Sequence, residues 1–125
     1  MSESSLLLRQ IHSNFVQNGR VISVAFRPTP KDAKRLSVSD ANKISPVDAW
    51  KRYTETLGFN SCGVLGVTVF ECKNVHLPVL EAPEDNQPDH MVIDFSHLES
   101  EGAIRSAAKE LCHFATTRGW LYRRS

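Results

Sequence analysis

The chain has 125 residues, of which 41% are hydrophobic and 23% charged, and its formal net charge is +1. A single domain of this length buries roughly two thirds of its unfolded surface, so we predict one domain over residues 1–125 with a core that needs no disulfide or metal. The composition excludes collagen-like, low-complexity and disordered chains, and no apolar run approaches the roughly 18 residues of a membrane-spanning helix.

The N-terminal third of the chain predicts one helix and two strands. Ser4 or Ser5 is a suitable N-cap for a helix over residues 6–17, in which four large apolar residues share one face, namely Leu7, Leu8, Ile11 and Phe15. Residues 21–26 are rich in β-branched and aromatic types and predict a strand. A short second strand is expected over residues 36–39.

The clearest helix signal begins at Ser45. This residue is a suitable N-cap, Pro46 follows at the first helical position, and Asp48 places a carboxylate at the positive end of the helix dipole. Apolar residues then recur at helical spacing in Val47, Trp50, Tyr53 and Leu57. Gly58 is expected to end this helix.

The middle of the chain predicts two further strands around a loop. Residues 62–70 are almost continuously apolar, which is typical of an interior strand covered on both faces. Gly63 and Gly66 within it indicate a bulge or a close backbone approach. Residues 78–89 are acidic and proline-rich and are expected to form a loop too polar to pack, and residues 91–95 predict a strand.

The C-terminal segment predicts a long helix followed by an edge strand. The helix covers residues 101–118 and is capped by Ser100, or alternatively by a capping box that begins at Ser96. Residues 120–122 return to the sheet. A right-handed crossover through the helix would pair this last strand in parallel with residues 91–95.

Together these elements predict an α+β fold. We expect a mostly antiparallel sheet of four to five strands with two or three helices packed on it. The three cysteines are an odd number without a CxxC pair, and the N-terminus lacks the pattern of a signal peptide. Both features favour reduced thiols and a cytoplasmic location.

Two histidines and two aspartates lie close together in the segment Asp89-His90-x-x-x-Asp94-x-x-His97. On a strand, His90 and Asp94 point to the same face, where they could act as an acid–base pair. The alternative is structural, with Asp94 capping a turn or pairing with an arginine and His90 at the surface. The spacing matches no metal motif, and we expect no metal and no cofactor.

Two basic segments are candidate contact surfaces. The first is the basic loop, residues 27–35, with Arg27, Lys31, Lys34 and Arg35. The second is the C-terminal segment, residues 118–124, which combines aromatic and basic side chains in the way that interfaces favour, with Arg118, Trp120, Tyr122, Arg123 and Arg124. The acidic residues of the loop 78–89 would orient a partner.

The favoured interpretation is a small cytosolic accessory module that docks on a protein partner through these two segments. Nucleic acid is a possible but less favoured partner because the net charge is near zero, and no membrane partner is expected. The alternative is a small enzyme acting on a phosphorylated or nucleotide-like substrate. In that case Arg27 or Lys31, with the hydroxyls of Ser37 and Ser39, would hold the anion, and His90 with Asp94 would move the proton.

Overall fold

The computed structural model describes residues 2–29 and 33–124. Within these ranges the strands are β1 (Leu6–Ile11), β2 (Val16–Gln17), β3 (Arg20–Val21), β4 (Arg35–Asp40), β5 (Gly63–Thr68), β6 (Val79–Glu81), β7 (His90–Asp94) and β8 (Tyr122–Arg123). The α-helices are α1 (Pro46–Lys51), α2 (Val69–Asn74) and α3 (Glu101–Arg118). In the same ranges, 3-10 helices cover Ser13–Phe15 and Ser23–Phe26, and a π-helical segment, Arg52–Thr56, continues α1.

Six of the strands form one sheet in the order β6-β7-β4-β1-β5-β8, and all neighbouring strands are antiparallel. The prediction of an α+β fold with a mostly antiparallel sheet is therefore confirmed. The sheet has one strand more than the upper expected number. The strands β2 and β3 form a separate hairpin.

Both faces of the sheet are covered, but by different elements. The inner face packs against α3 and the second 3-10 helix to form the main core, which includes Leu7, Ile11, Phe26, Leu65, Ile93 and Leu111. The outer face carries α1 over a smaller cluster built on Leu8, Ala49 and Val64. The rings of Trp50 and Tyr122 close that cluster with centroids 5.1 Å apart.

The sheet is incomplete between β1 and β4, and this gap positions the candidate site. β1 pairs with β5 along its whole length but with β4 only at Leu7 and Leu8. Beyond that point Arg9 bridges the gap, since its Nε donates to the carbonyl of Ala25 (2.9 Å) and its Nη1 donates to that of Ser37 (3.0 Å). The gap leaves the outer face open beside Ser37.

The predicted helices at residues 46 and 101 are confirmed, together with their caps. The Ser45 hydroxyl accepts the Asp48 amide (3.2 Å), and that of Ser100 accepts the Ala103 amide (3.0 Å). The strands expected at 36–39 and 91–95 are present as β4 and β7. None of the helices in the described ranges has both the length and the apolar character that a bilayer span requires.

The predicted helix over residues 6–17 is wrong, because residues 6–11 form the interior strand β1. Leu7 is 0% and Leu8 2% exposed, the first in the main core and the second in the outer cluster. A strand buried on both faces has no polar alternation, so its apolar run is indistinguishable by pattern from a helical face.

The strand predicted over residues 21–26 is also wrong beyond its first residue. Val21 pairs with Val16 in the small hairpin, but Ser23–Phe26 turns into a 3-10 helix. Ala25 and Phe26 are fully buried in the main core with α3. Packing on the helix therefore overrides the β propensity of these side chains.

Three further expectations are corrected by the topology. The prediction of a loop over residues 78–89 is wrong at its start, because Val79–Glu81 forms the edge strand β6 on β7. Residues 69–74 form α2, where Thr68 and Glu71 make a capping box that cuts the predicted strand 62–70 short. The last strand, β8, pairs antiparallel with β5 rather than parallel with β7, because α3 carries the chain across the whole sheet to its opposite edge.

Candidate functional site

An open cleft of about 380 Å³ lies on the outer face of the sheet beside the gap between β1 and β4. The sheet supplies a polar floor that consists of Gln10, Ser37, Ser39 and His90. The helix α1 and the segment that follows it supply an apolar wall, which consists of Ala49 from α1 and of Tyr53, Leu57 and Phe59. Glu84 and Gln87, from the turn between β6 and β7, form the remaining side. A cleft of this size suits a small molecule or one side chain of a larger one.

The π-helical segment places Arg52 and Tyr53 at this cleft. Its widened turn is closed by the Leu57 amide, which donates to the Arg52 carbonyl five residues earlier (2.9 Å). Short π-helical stretches recur at functional sites because the extra residue in the turn redirects neighbouring side chains.

A buried ion pair fixes this segment to the sheet. The two terminal nitrogens of Arg52 each donate to one carboxylate oxygen of Asp89 at 2.7 Å, and Asp89 is 2% exposed. The hydrogen bond from Arg52 is the main cause that holds the pKa of Asp89 below its ordinary value, and Ser39 adds a second one. The guanidinium of Arg52 is thus neutralised where it lines the cleft, and the hydroxyl of Ser39 is hydrogen-bonded to Asp89.

Ser37 and His90 form a hydrogen-bonded pair on the floor of the cleft. They lie on adjacent strands, where His90 is directly opposite Ser39 and Ser37 is diagonal to it. Oγ of Ser37 is 3.2 Å from Nε2 of His90, and the other ring nitrogen, Nδ1, is 2.7 Å from the carbonyl oxygen of Ala82. The His90 side chain is 13% exposed, whereas Ser37 is exposed.

These contacts define which nitrogen of the neutral ring carries the proton. A carbonyl oxygen only accepts hydrogen bonds, so Nδ1 must be the protonated nitrogen. Nε2 is then the acceptor, and the Ser37 hydroxyl donates to it. The amide of Ala82 in turn donates to the His90 carbonyl (3.1 Å), so the hairpin of β6 and β7 holds the ring in place. Oε1 of Glu84 lies 3.5 Å from Nδ1 and adds a carboxylate at the same nitrogen.

This arrangement is the one required for nucleophilic catalysis by a hydroxyl. A base within hydrogen-bond reach accepts the hydroxyl proton, and a third group fixes the tautomer and orientation of the base. Ser37, His90 and the Ala82–Glu84 turn occupy these three positions. Gln10 also lines the cleft, and its side-chain oxygen accepts the buried Ser61 hydroxyl (2.7 Å).

The structure does not bring Asp94 to His90. The two residues are four positions apart on β7, which is roughly 13 Å at the usual rise of a strand. The hydrogen bond from the Ser96 side chain is the main cause that lowers the pKa of Asp94. The Ser96 amide, which donates to Oδ1 of Asp94 (2.8 Å), is the second cause, and Arg35 on β4 contributes less. Asp94 thus has the turn-capping contact of the structural alternative.

The cationic groups at the cleft are not the ones predicted from sequence. Arg9 and Arg52 line it, whereas Arg27 does not. Arg27 follows the second 3-10 helix, and its Nε is buried without a hydrogen-bond partner among residues 2–29 and 33–124. Lys31, the other predicted anion holder and a predicted partner contact, lies outside the described residues.

Several of the predicted contact residues have partners within the chain. Nζ of Lys34 donates to the carbonyl of Leu98 (3.2 Å). The guanidinium of Arg118 donates to both carboxylate oxygens of Glu71 (3.1 and 2.8 Å) and to the carbonyl of Gly66 (2.8 Å). Arg118 thereby joins the end of α3 to the start of α2.

The aromatic and remaining basic residues divide into packed and exposed groups. Trp120 packs at the margin of the main core and Tyr122 against the outer cluster. Arg123 is exposed and stacks on the Trp120 ring, with 5.3 Å from Cζ to the ring centroid. Arg35 and Arg124 are also exposed.

Four residues of the cleft are not predicted as site residues from the sequence, namely Arg9, Gln10, Arg52 and Glu84. Tyr53, which the helical spacing groups with the apolar residues of the helix, also lines the cleft. Arg9 and Gln10 lie within the segment predicted as a helix, so their position on the sheet was not foreseeable. The alternation of inward and outward residues along a strand is one signal of the site in the sequence, because Ser37 and His90 both occupy outward positions on correctly predicted strands. Only the register between those strands, which the sequence does not specify, brings them together.

Within the described part of the chain, no group of three or more His, Cys, Asp or Glu side chains is arranged to hold a metal ion. No protein family model matches the chain, and no curated protein or solved structure matches it. The site's own geometry therefore carries the functional argument.

Proposed function

We propose that this protein is a small serine-dependent acyl hydrolase whose nucleophile is Ser37 and whose general base is His90. The single observation that carries the proposal is the chain of contacts from the Ser37 hydroxyl to Nε2 of His90 and from Nδ1 to the Ala82 carbonyl. It supports the enzymatic alternative in a changed form, with a serine rather than Asp94 as the partner of His90.

The reaction uses the two residues twice. Oγ of Ser37 attacks the carbonyl carbon of an ester or amide while its proton passes to Nε2 of His90. The tetrahedral intermediate collapses, the bond to the leaving group breaks, and His90 returns the proton to that group. A water molecule then attacks the acyl-serine, His90 takes its proton and passes it to Oγ of Ser37, and the acid is released.

The surrounding polar groups supply the charges that these steps need. The Ala82 carbonyl and the Glu84 carboxylate both face Nδ1, where they stabilise the imidazolium that forms when His90 accepts a proton. Gln10 lines the cleft, and its NH₂ group would donate to the negative oxygen of the intermediate.

The test is covalent labelling with a fluorophosphonate, followed by peptide mass spectrometry. We expect phosphonylation at Ser37, with loss of labelling in Ser37→Ala and strongly reduced labelling in His90→Ala. Ser106→Ala and His97→Ala are matched controls, since both residues are exposed and outside the cleft. Thermal melts establish that each variant is folded. No labelling at Ser37 in the folded wild-type protein would overturn the proposal.

A protein-docking role is the second candidate, and one observation favours it. The edge strand β8 presents Arg123 in an exposed position, held by stacking on Trp120, next to exposed Arg124. Charge reversal at both arginines would weaken association with a partner recovered from the native cell, whereas reversal at exposed Lys109 on α3 would not. A cytoplasmic location fits either role, and the three free thiols support it.

A further inference from the structure

The wall of the cleft opposite Ser37 is apolar and partly open to solvent. Leu57 is 41% and Phe59 56% exposed, whereas Ala49 and Leu8, which line the same cleft, are buried. Large apolar side chains that are exposed around a concavity mark a binding site more often than isolated ones do. These side chains are continuous with the floor that holds Ser37 and His90.

The exposed part of this wall is held in place rather than loose. Gly58 adopts a left-handed conformation (φ 76°) that reverses the chain after the π-helical segment. The amide of Phe59 then donates to the Tyr53 carbonyl (3.0 Å), and the two rings pack with centroids 5.1 Å apart. The Phe59 ring is therefore preorganised at the rim, which lowers the entropic cost of binding an apolar group there.

The charges around the cleft are balanced. The two guanidinium groups, Arg9 and Arg52, are matched by the carboxylates of Glu84 and Asp89, and Arg52 is paired directly with Asp89. An anionic group bound at His90 would also lie close to the Glu84 carboxylate, which is 3.5 Å from the ring. Among residues 2–29 and 33–124, the cleft thus offers apolar contact and no surplus of positive charge.

From these features we infer that the substrate is neutral and carries a short apolar acyl group, which packs on the wall formed by Tyr53, Leu57 and Phe59 while its carbonyl lies at Ser37. This inference rests on the proposed hydrolase function and specifies its substrate class. It departs from the phosphorylated or nucleotide-like substrate expected from the sequence.

The first arm of the test compares three p-nitrophenyl esters: the acetate, the butyrate and the negatively charged hemisuccinate. We expect kcat/KM to be about tenfold higher for the butyrate than for the acetate, as is usual when methylenes enter an apolar pocket, and lowest for the hemisuccinate. Phe59→Ser should remove most of this preference. Phe70→Ser is the matched control, because Phe70 is 50% exposed but lies on α2 outside the cleft.

The second arm does not depend on turnover. Binding of butyranilide, a neutral apolar amide, is measured by NMR on the Ser37→Ala variant, with and without Phe59→Ser. We expect shifts at Tyr53, Leu57 and Phe59, and at least about fivefold weaker binding after the second substitution.

The ester kinetics and the butyranilide binding together distinguish the hydrolase proposal from the inferred substrate class. If butyranilide binds at the wall but Ser37 is never acylated, the hydrolase proposal fails and the ligand class stands. If esters are hydrolysed without preference for the butyrate, or if Phe59→Ser acts no differently from Phe70→Ser, the inferred substrate class is overturned.

Discussion

Arg52 donates from both terminal nitrogens to the two carboxylate oxygens of Asp89, at 2.7 Å each, and so joins the π-helical segment to the residue that precedes β7. Asp89 also receives the side-chain hydrogen bond of Ser39 and offers its carbonyl to the Asp40 amide (2.9 Å). The pair therefore holds the apolar wall and the polar floor of the cleft in a fixed relation.

Removing the cationic partner should be strongly destabilising. In Arg52→Met the carboxylate of Asp89 remains buried without a counter-charge, and we expect the free energy of unfolding to fall by about 3 kcal/mol at pH 7. The neighbouring Lys51→Met is the control, since Lys51 is exposed and should change stability by less than about 0.5 kcal/mol. Urea denaturation measures both, and equal effects would show that the pair does not anchor the segment.

The same pair predicts a direction for the dependence of stability on pH. The pKa of Asp89 is lower in the folded protein than in the unfolded chain, where it is about 3.9. The contribution of Asp89 to the free energy of unfolding is therefore fully present above about pH 5, and it is lost as the pH falls through the pKa of Asp89 in the folded protein. Asp89→Asn lacks the carboxylate that pairs with Arg52, so the variant should be less stable than wild type at pH 7. Because asparagine does not titrate, the difference in the free energy of unfolding between the two proteins should shrink between pH 5 and pH 2.5. A constant difference would contradict the pKa shift.

The sequence predicts those elements whose signals are local. The sequence predicts both α1 and α3, because their N-cap residues, Ser45 and Ser100, act within one turn of the helix. β1 was missed because burial of Leu7 and Leu8 on opposite faces is a property of the assembled sheet. Likewise, His90 was identified as a candidate, but its contact with Ser37 depends on the register of β4 against β7.

The tight approach of β8 to β5 predicts that Gly63 does not tolerate a side chain. A methyl group there would lie 2.6 Å from the Tyr122 carbonyl oxygen and 2.8 Å from the Trp120 ring. We expect Gly63→Ala to lower the free energy of unfolding by about 2 kcal/mol and to change Trp120 fluorescence as β8 is displaced. Gly102→Ala, which meets no atom closer than 4.0 Å in α3, should instead be neutral or stabilising by up to about 1 kcal/mol. Comparable losses in both variants would refute the packing argument.

Arg118 gives a prediction that separates a structural from a partner-binding role. Its guanidinium contacts both carboxylate oxygens of Glu71, and although burial of Glu71 opposes ionisation, the hydrogen bonds from Arg118 and Thr68 outweigh it and lower the pKa of Glu71. A lysine keeps the positive charge, but its single ammonium group cannot donate to both carboxylate oxygens of Glu71 and also to the Gly66 carbonyl in this geometry. We therefore expect Arg118→Lys to lower the free energy of unfolding by about 1 kcal/mol, measured by urea denaturation of the isolated protein, whereas Arg124→Lys should have no effect. If Arg118→Lys were as stable as wild type yet lost affinity for a partner, Arg118 would belong to the docking surface instead.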